Sequence, residues 1–189
     1  MYDNEKIHIL TILVDNEPGV LARVIGLFSG RGYNIESLTV SEVDGKRHLS
    51  RITITTKGAQ TIIDQIMALL GRLVPVHHVV DLVHHMPFIA RDSVLAKVIC
   101  PLDKQKELCD HASSFGAQLA DKKGDVMIFT MTDEPERIDS FIKSLRNQGS
   151  GQRDIDVCRA GIFALDYEEQ ALQKRKHEAD VAPLALTSS

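Results

Sequence analysis

The segment Asp15-Asn16-Glu17-Pro18-Gly19-Val20-Leu21 has the residue types that hold a small anion at the start of a helix. Pro18 suits the first helical position because its missing N–H group would have no partner there, and Asp15 and Asn16 can cap the free N–H groups. Gly19 costs about 1 kcal/mol against alanine inside a helix, and it lets a ligand approach the backbone. The free N–H groups and the positive end of the helix dipole attract a carboxylate. The segment therefore predicts either an ordinary capped helix or an anion-binding turn.

A second polar segment, Gly32-Tyr33-Asn34, comes just before a predicted strand. Asn34 is either a plain turn residue or an amide whose donor and acceptor bind a polar ligand group. A small ligand held between this loop and the start of a helix would need both segments.

Other residues that could bind a metal or act as nucleophiles have weak patterns. The pairs His77-His78 and His84-His85 are predicted to lie on a strand, where neighbouring side chains point to opposite faces and cannot converge. The cysteines form no Cys-x-x-Cys motif and are expected to be small buried thiols. They are Cys100, Cys109 and Cys158. We expect no metal site and no catalytic residues.

Composition narrows the class of protein further. The chain has 189 residues, a net charge of -4 and 43% hydrophobic residues. The acidic balance argues against binding to nucleic-acid phosphates, and six Phe, three Tyr and no Trp leave few surfaces for stacking bases. No apolar run approaches the ~18 residues that a membrane-spanning helix needs. These features indicate a globular, cytoplasmic protein with neither a nucleic-acid nor a membrane partner.

The spacing of apolar residues predicts the elements that position these groups. In the first half, strands are expected at 7–14, 35–43, 49–56 and 74–84, with helices between 18 and 30 and at 63–70. The second half repeats the rhythm, with strands at 94–100, 118–120, 126–132 and 155–165 and helices at 108–115 and 138–145. This order predicts an α+β protein with two ferredoxin-like βαββαβ domains. The expected domains are 7–84 and 92–166, with a linker at 85–91 and a mobile tail at 167–189.

The run DNEPGVLARVIGLFSGRGYNIESLTV at 15–40 closely resembles the signature of the small regulatory subunits of acetolactate synthase. Its Pro-Gly-x-Leu opening is typical of the wider ACT family of amino-acid-sensing domains. The resemblance continues at 49–54 and 73–76, and it is looser at 90–98, 138–142 and 159–161. The resemblance implies that residues 7–84 form an ACT domain. The tail from 168 onward has no recognised counterpart.

The resemblance implies a non-catalytic subunit that works in the biosynthesis of branched-chain amino acids. Such subunits bind and activate the large catalytic subunit and confer feedback inhibition by valine. Thiamine diphosphate, FAD and Mg²⁺ are expected on that catalytic partner, with no cofactor on this chain. Two ACT domains are expected to pair as a homodimer with a continuous sheet.

The resemblance also implies a valine site at the dimer interface. The backbone N–H groups of Gly19 and Val20 would bind the carboxylate, Asn34 and Asn16 the ammonium group, and Leu21 and Ile35 the isopropyl group. One chain supplies Asn16, Gly19, Val20 and Leu21, and the other supplies Asn34 and Ile35.

Three alternatives stay open. The first is a stand-alone ACT sensor that regulates a different enzyme or transcription. The second is an RNA-recognition module, which is disfavoured because the strands at 7–14 and 49–56 carry no aromatic residue for stacking. The third is a small enzyme that uses the histidines or thiols.

Overall fold

A computed structural model of the chain describes residues 6–85, 87–147 and 155–167. The first half contains β1 (Lys6–Asp15), α1 (Val20–Ser29), β2 (Ser37–Asp44), β3 (Leu49–Gly58), α2 (Gln60–Leu70), β4 (Val76–Asp81) and α3 (Leu82–His85). The second half contains β5 (Phe88–Ile99), a 3-10 turn (Leu102–Lys104), α4 (Gln105–Ser114), β6 (Gln118–Lys123), β7 (Val126–Asp133), α5 (Pro135–Asn147), β8 (Ile155–Arg159) and β9 (Phe163–Asp166).

The strands form two antiparallel sheets with the same topology. The first sheet has the order β2-β3-β1-β4 and the second β6-β7-β5-β8, with β9 paired to the start of β5. In each half the first and last strands are neighbours and the middle hairpin extends one side of the sheet. The α+β class and the repeated βαββαβ order predicted from the sequence are therefore confirmed.

Each half has its own apolar core between helices and sheet. In the first half, Val20, Val24 and Phe28 of α1 face the core and are at most 2% exposed. Leu21 lies beside this buried stripe and is 37% exposed, so its side chain is available at the surface. The second core is built around Phe129, Phe141 and Leu145.

Two predicted strands differ from the observed ones. The strand expected at 74–84 ends at Asp81, and the chain turns into α3, so His84 lies on a helical turn. The strand expected at 155–165 is divided into β8 and β9 by a turn at Gly161, which has φ +94°. Residues 88–91, which lie in the expected linker, begin β5 and pair with β9.

Two further expectations have different outcomes. Cys100 is buried as expected, but Cys158 is exposed because it lies on the outer face of its sheet, opposite the exposed Leu95. Residues 168–189 of the expected tail lie outside the described residues. No helix in the described part of the chain is long and apolar enough to cross a membrane.

The two halves touch through the turn between β8 and β9, which packs on strand β2. The Ile162 N–H donates to Ser37 Oγ at 2.8 Å, and Thr39 Oγ1 donates to the Ile162 carbonyl at 3.2 Å. A Cβ atom at Gly161 would lie 2.9 Å from Ser37 Oγ and 2.9 Å from Thr39 Cγ2. Glycine at this position is therefore required by both the positive φ and the close approach of β2.

Candidate ligand-binding site

A tight turn leads from β1 into helix α1. The Val20 N–H donates to the Glu17 carbonyl at 3.3 Å, which closes the turn around Pro18 and Gly19. Gly19 has φ +85° and ψ -6°, the conformation of the third residue of a type II turn, where glycine is favoured. Pro18 fits the second residue of such a turn. Turn geometry therefore gives a local reason for the Pro-Gly pair.

The N-terminus of α1 is left without a side-chain cap in the described part of the chain. The sequence predicted caps from Asp15 and Asn16, and this was wrong. Asp15 Oδ1 is instead 2.6 Å from His77 Nε2, and the Asn16 N–H donates to the His48 carbonyl at 2.6 Å. Because the first N–H groups of a helix have no partner within the helix, this end keeps free donors and a positive partial charge.

Among the described residues, none fills the space above the turn. A Cβ atom at Gly19 would meet none of their atoms within 4 Å. Leu21 is exposed beside it, whereas Val20 is only 2% exposed and offers the surface nothing but its backbone. The Asn16 side chain is also exposed. Asn16, Gly19, Val20 and Leu21 thus lie together around an open, uncapped helix end.

Asn34 and Ile35 lie at the opposite end of the first sheet. The Asn34 carbonyl accepts from Thr56 Oγ1 at 2.6 Å, and Thr56 pairs with His8 near the start of β1. Gly19 follows the other end of β1, where Asp15 pairs with Leu49. One chain therefore does not bring these two predicted residues to the helix end.

The local contacts of the two residues also differ. Asn34 is exposed, and its Nδ2 donates to Glu36 Oε1 at 2.9 Å. Ile35 is half-buried and packs against the first core. Asn34 can therefore reach a neighbouring molecule, while Ile35 is held in place by its own domain.

Sequence reasoning missed an ion-pair cluster in the second half. Asp92 is 1% exposed, and Arg159 Nε donates to its Oδ2 at 2.6 Å. Arg159 Nη1 also donates to Asp139 Oδ1 at 2.6 Å. Burial acts to lower the pKa of Arg159, but the two carboxylates raise it above its ordinary value. The cluster holds β5, α5 and β8 together next to the Gly161 turn. No local sequence pattern predicts it, because its partners are far apart in the chain.

A buried histidine was also missed. His8 is 0% exposed, and its Nδ1 is 2.7 Å from Asp81 Oδ2. A signal was present in the sequence, because alternation along β1 places His8 on the same face as Leu10 and Ile12. Its partner could not be found from the sequence, since the two residues are 73 positions apart.

Two family models match the chain, one in each half. Residues 10–78 match the AHAS small subunit-like ACT domain, and residues 91–168 match the family described as the small subunit of acetolactate synthase. The chain is 34% identical to the acetolactate synthase isozyme 3 small subunit of Salmonella typhimurium, over 87% of this chain and 98% of that protein. It is 35% identical to the acetolactate synthase small subunit of Haemophilus influenzae, over 86% of this chain and 96% of that protein.

A solved structure agrees with these matches. The crystal structure of the acetolactate synthase small subunit from Thermotoga maritima superposes with a TM-score of 0.74 at 31% identity, covering 87% of this chain and 99% of that one. The matches span both sheets and nearly the full length of the relatives. The chain therefore belongs to the family of acetolactate synthase small subunits, the non-catalytic regulatory subunits of that enzyme.

Proposed function

We propose that this chain activates the large catalytic subunit of acetolactate synthase and makes it sensitive to feedback inhibition by valine. One observation carries the proposal beyond family membership. In the described part of the chain, the N-terminus of α1 has no side-chain cap, and Gly19 leaves open space above it. A free carboxylate is the group that such a helix end binds. Thiamine diphosphate, FAD and Mg²⁺ belong in this proposal to the catalytic partner.

A homodimer would complete the site. Strand β2 lies at an edge of the first sheet, and Val40 and Val43 on it are 45% and 48% exposed. An edge strand offers unpaired backbone groups to a second copy. Antiparallel pairing of two β2 strands would place the start of one opposite the end of the other.

The register supports this arrangement. Asp44, at the end of β2, pairs with Leu49, which in turn pairs with Asp15 just before the Gly19 turn. The end of β2 and the uncapped helix therefore share one end of the sheet. Asn34 and Ile35 lie just before β2, with only Glu36 between, so those of a second copy would approach this end. This is the reason that residues far apart in one chain can form one site.

Each part of valine then has a partner of matching chemistry. The carboxylate binds the N–H groups at Gly19 and Val20, the second of which gives up its long bond to Glu17. Asn16 and the partner's Asn34 bind the ammonium group through their amide oxygens. Leu21 and the partner's Ile35 cover the isopropyl group. We propose 7–84 as the sensing domain and 92–166 as the second regulatory domain.

Inhibition requires that valine binds one arrangement of the complex better than the other. Couplings between sites of ~1–3 kcal/mol are usual. Strand β2 offers a direct route, since Ser37 contacts Ile162 of the second half only two residues after Ile35. A ligand that shifts the start of β2 would shift this contact.

Reconstitution with the catalytic subunit tests the proposal as a whole. We expect the chain to co-purify with that subunit, to raise its rate of acetolactate formation, and to make this rate fall when valine is added. The control is the catalytic subunit alone, which should be slower and insensitive to valine. Binding of an amino acid without co-purification or activation would instead indicate a stand-alone sensor and would contradict the proposal.

The dimer is tested by Val40→Lys. Pairing across a two-fold axis near the middle of β2 would bring two lysines close together, so we expect dimerisation to weaken about tenfold or more, a cost of ~1.4 kcal/mol. Valine binding should weaken with it. Sedimentation velocity and calorimetry measure the two effects.

The matched control for this variant is Leu95→Lys. The side chain of Leu95 is 48% exposed, a fraction similar to that of Val40, but Leu95 lies on the second sheet. This control should leave both dimerisation and valine binding unchanged. Equal effects of the two substitutions would show that β2 is not the dimer interface.

A further inference from the structure

A group of metal-ligating side chains lies outside the proposed valine site. His8 is completely buried, and its Nδ1 is hydrogen-bonded to Asp81 Oδ2 at 2.7 Å. The second ring nitrogen, Nε2, is buried and has no hydrogen-bond partner among the described residues. Buried polar atoms in native proteins nearly always have a partner, so this nitrogen requires an explanation.

Helix α3 brings a second histidine to the same place. Because the chain turns into a helix after Asp81, His84 lies three residues on and returns to the same side. The rings of His8 and His84 are stacked, with centroids 5.4 Å apart and planes 22° apart. One ligand atom from each of His8, Asp81 and His84 lies within 4.8 Å of the other two.

The hydrogen bonds of Asp81 favour the tautomer of His8 that carries its proton on Nδ1. Oδ2 accepts from His8 Nδ1, and Oδ1 accepts from the Val83 N–H at 3.2 Å. A proton on Nδ1 leaves a lone pair on Nε2, and a carboxylate behind a histidine is the usual support of a metal-binding imidazole. His84 is exposed, so a rotation of its ring can bring a nitrogen to the same ion.

We propose that His8 Nε2 and His84 bind a divalent transition-metal ion, with Asp81 orienting His8 and supplying negative charge. Imidazole ligands favour Zn²⁺, Ni²⁺ or Cu²⁺ over Mg²⁺ and Ca²⁺, which prefer oxygen. Water completes the coordination at the exposed side. The ion would fix α3 on β1, at the connection that leads into the second sheet. This site is separate from the residues proposed for valine.

Zinc titration of the full chain tests the proposal. We expect calorimetry to detect Zn²⁺ binding and thermal unfolding to shift upward when Zn²⁺ is added, because an ion that binds the folded state more tightly than the unfolded chain stabilises the fold. His84→Asn should weaken Zn²⁺ binding tenfold or more, as expected for the loss of one of two nitrogen ligands. The substitution is at an exposed residue, so the apo protein should unfold at the wild-type temperature.

His77→Asn is the matched control, since His77 is exposed like His84 but lies outside the proposed metal site, where it is hydrogen-bonded to Asp15. It should bind Zn²⁺ like the wild type. Cobalt gives an independent readout, because the visible absorption of bound Co²⁺ should be present in wild type and His77→Asn and lost in His84→Asn. Equal Zn²⁺ affinity in wild type and His84→Asn, or no Zn²⁺ binding by the wild type, would overturn the proposal.

Discussion

Gly19→Asp is expected to abolish the response of the holoenzyme to valine while its activation by this chain persists. A carboxylate at this position can accept hydrogen bonds from the free N–H groups of α1, as an N-terminal cap does. It therefore competes with the ligand. Its negative charge also repels the carboxylate of valine. Losing hydrogen bonds to a charged group costs about 1.5–3 kcal/mol each, so valine should bind at least about 100-fold more weakly. Calorimetry on the isolated chain and the valine dependence of the reconstituted rate measure the two effects.

The control for Gly19→Asp must match its backbone strain and its charge. Gly124→Asp does so, because Gly124 has φ +62° and a Cβ atom there would also meet no atom of the described residues within 4 Å. Gly124 lies in the turn between β6 and β7, away from the proposed site. Gly124→Asp should keep normal inhibition by valine. Normal valine binding by Gly19→Asp would refute the assignment of the site to the start of α1.

Gly161→Ala is expected to destabilise the contact between the two halves. The new methyl group would meet Ser37 and Thr39 at 2.9 Å, closer than real Cβ contacts allow. The left-handed backbone adds about 1–2 kcal/mol for a residue with a side chain. Overpacking adds about 1–3 kcal/mol. We therefore expect a loss of about 2–5 kcal/mol in the free energy of unfolding, measured by denaturant titration.

Gly116→Ala separates these two costs. Gly116 has φ +87°, close to that of Gly161, but in the part of the chain that the structure describes a Cβ atom there would meet nothing within 4 Å. This control should lose about 1–2 kcal/mol in the free energy of unfolding, which is the cost of the backbone conformation alone. In the reconstituted enzyme, Gly161→Ala should also weaken the inhibition of acetolactate formation by valine. This effect should be larger than its effect on valine binding. Equal destabilisation by both substitutions would mean that the turn is not tightly packed on β2.

The sequence predicted the parts of the proposed site that depend on local chemistry. The Pro-Gly pair marked the start of α1, although the sequence placed Pro18 at the first helical position and the structure places both residues in a turn just before the helix. Asn34 stood out as a polar residue before a strand. The local rules failed where a distant residue competed. Asp15 was expected to cap the helix, but His77, 62 residues away, holds its carboxylate instead. His84 was assigned to a strand, and its position opposite His8 became visible only with α3 in place.

The repeated βαββαβ order and the family could be read from the chain itself, because apolar spacing and turn residues act within a few positions; α3 and the break between β8 and β9 were missed. Tertiary structure alone decided which groups meet. Arg159 binds Asp92 across 67 positions, and Ile162 binds Ser37 across 125. Such pairs depend on sheet register and on the packing of one half against the other. These contacts arise only when distant segments fold together, since neither partner carries a local mark of the other.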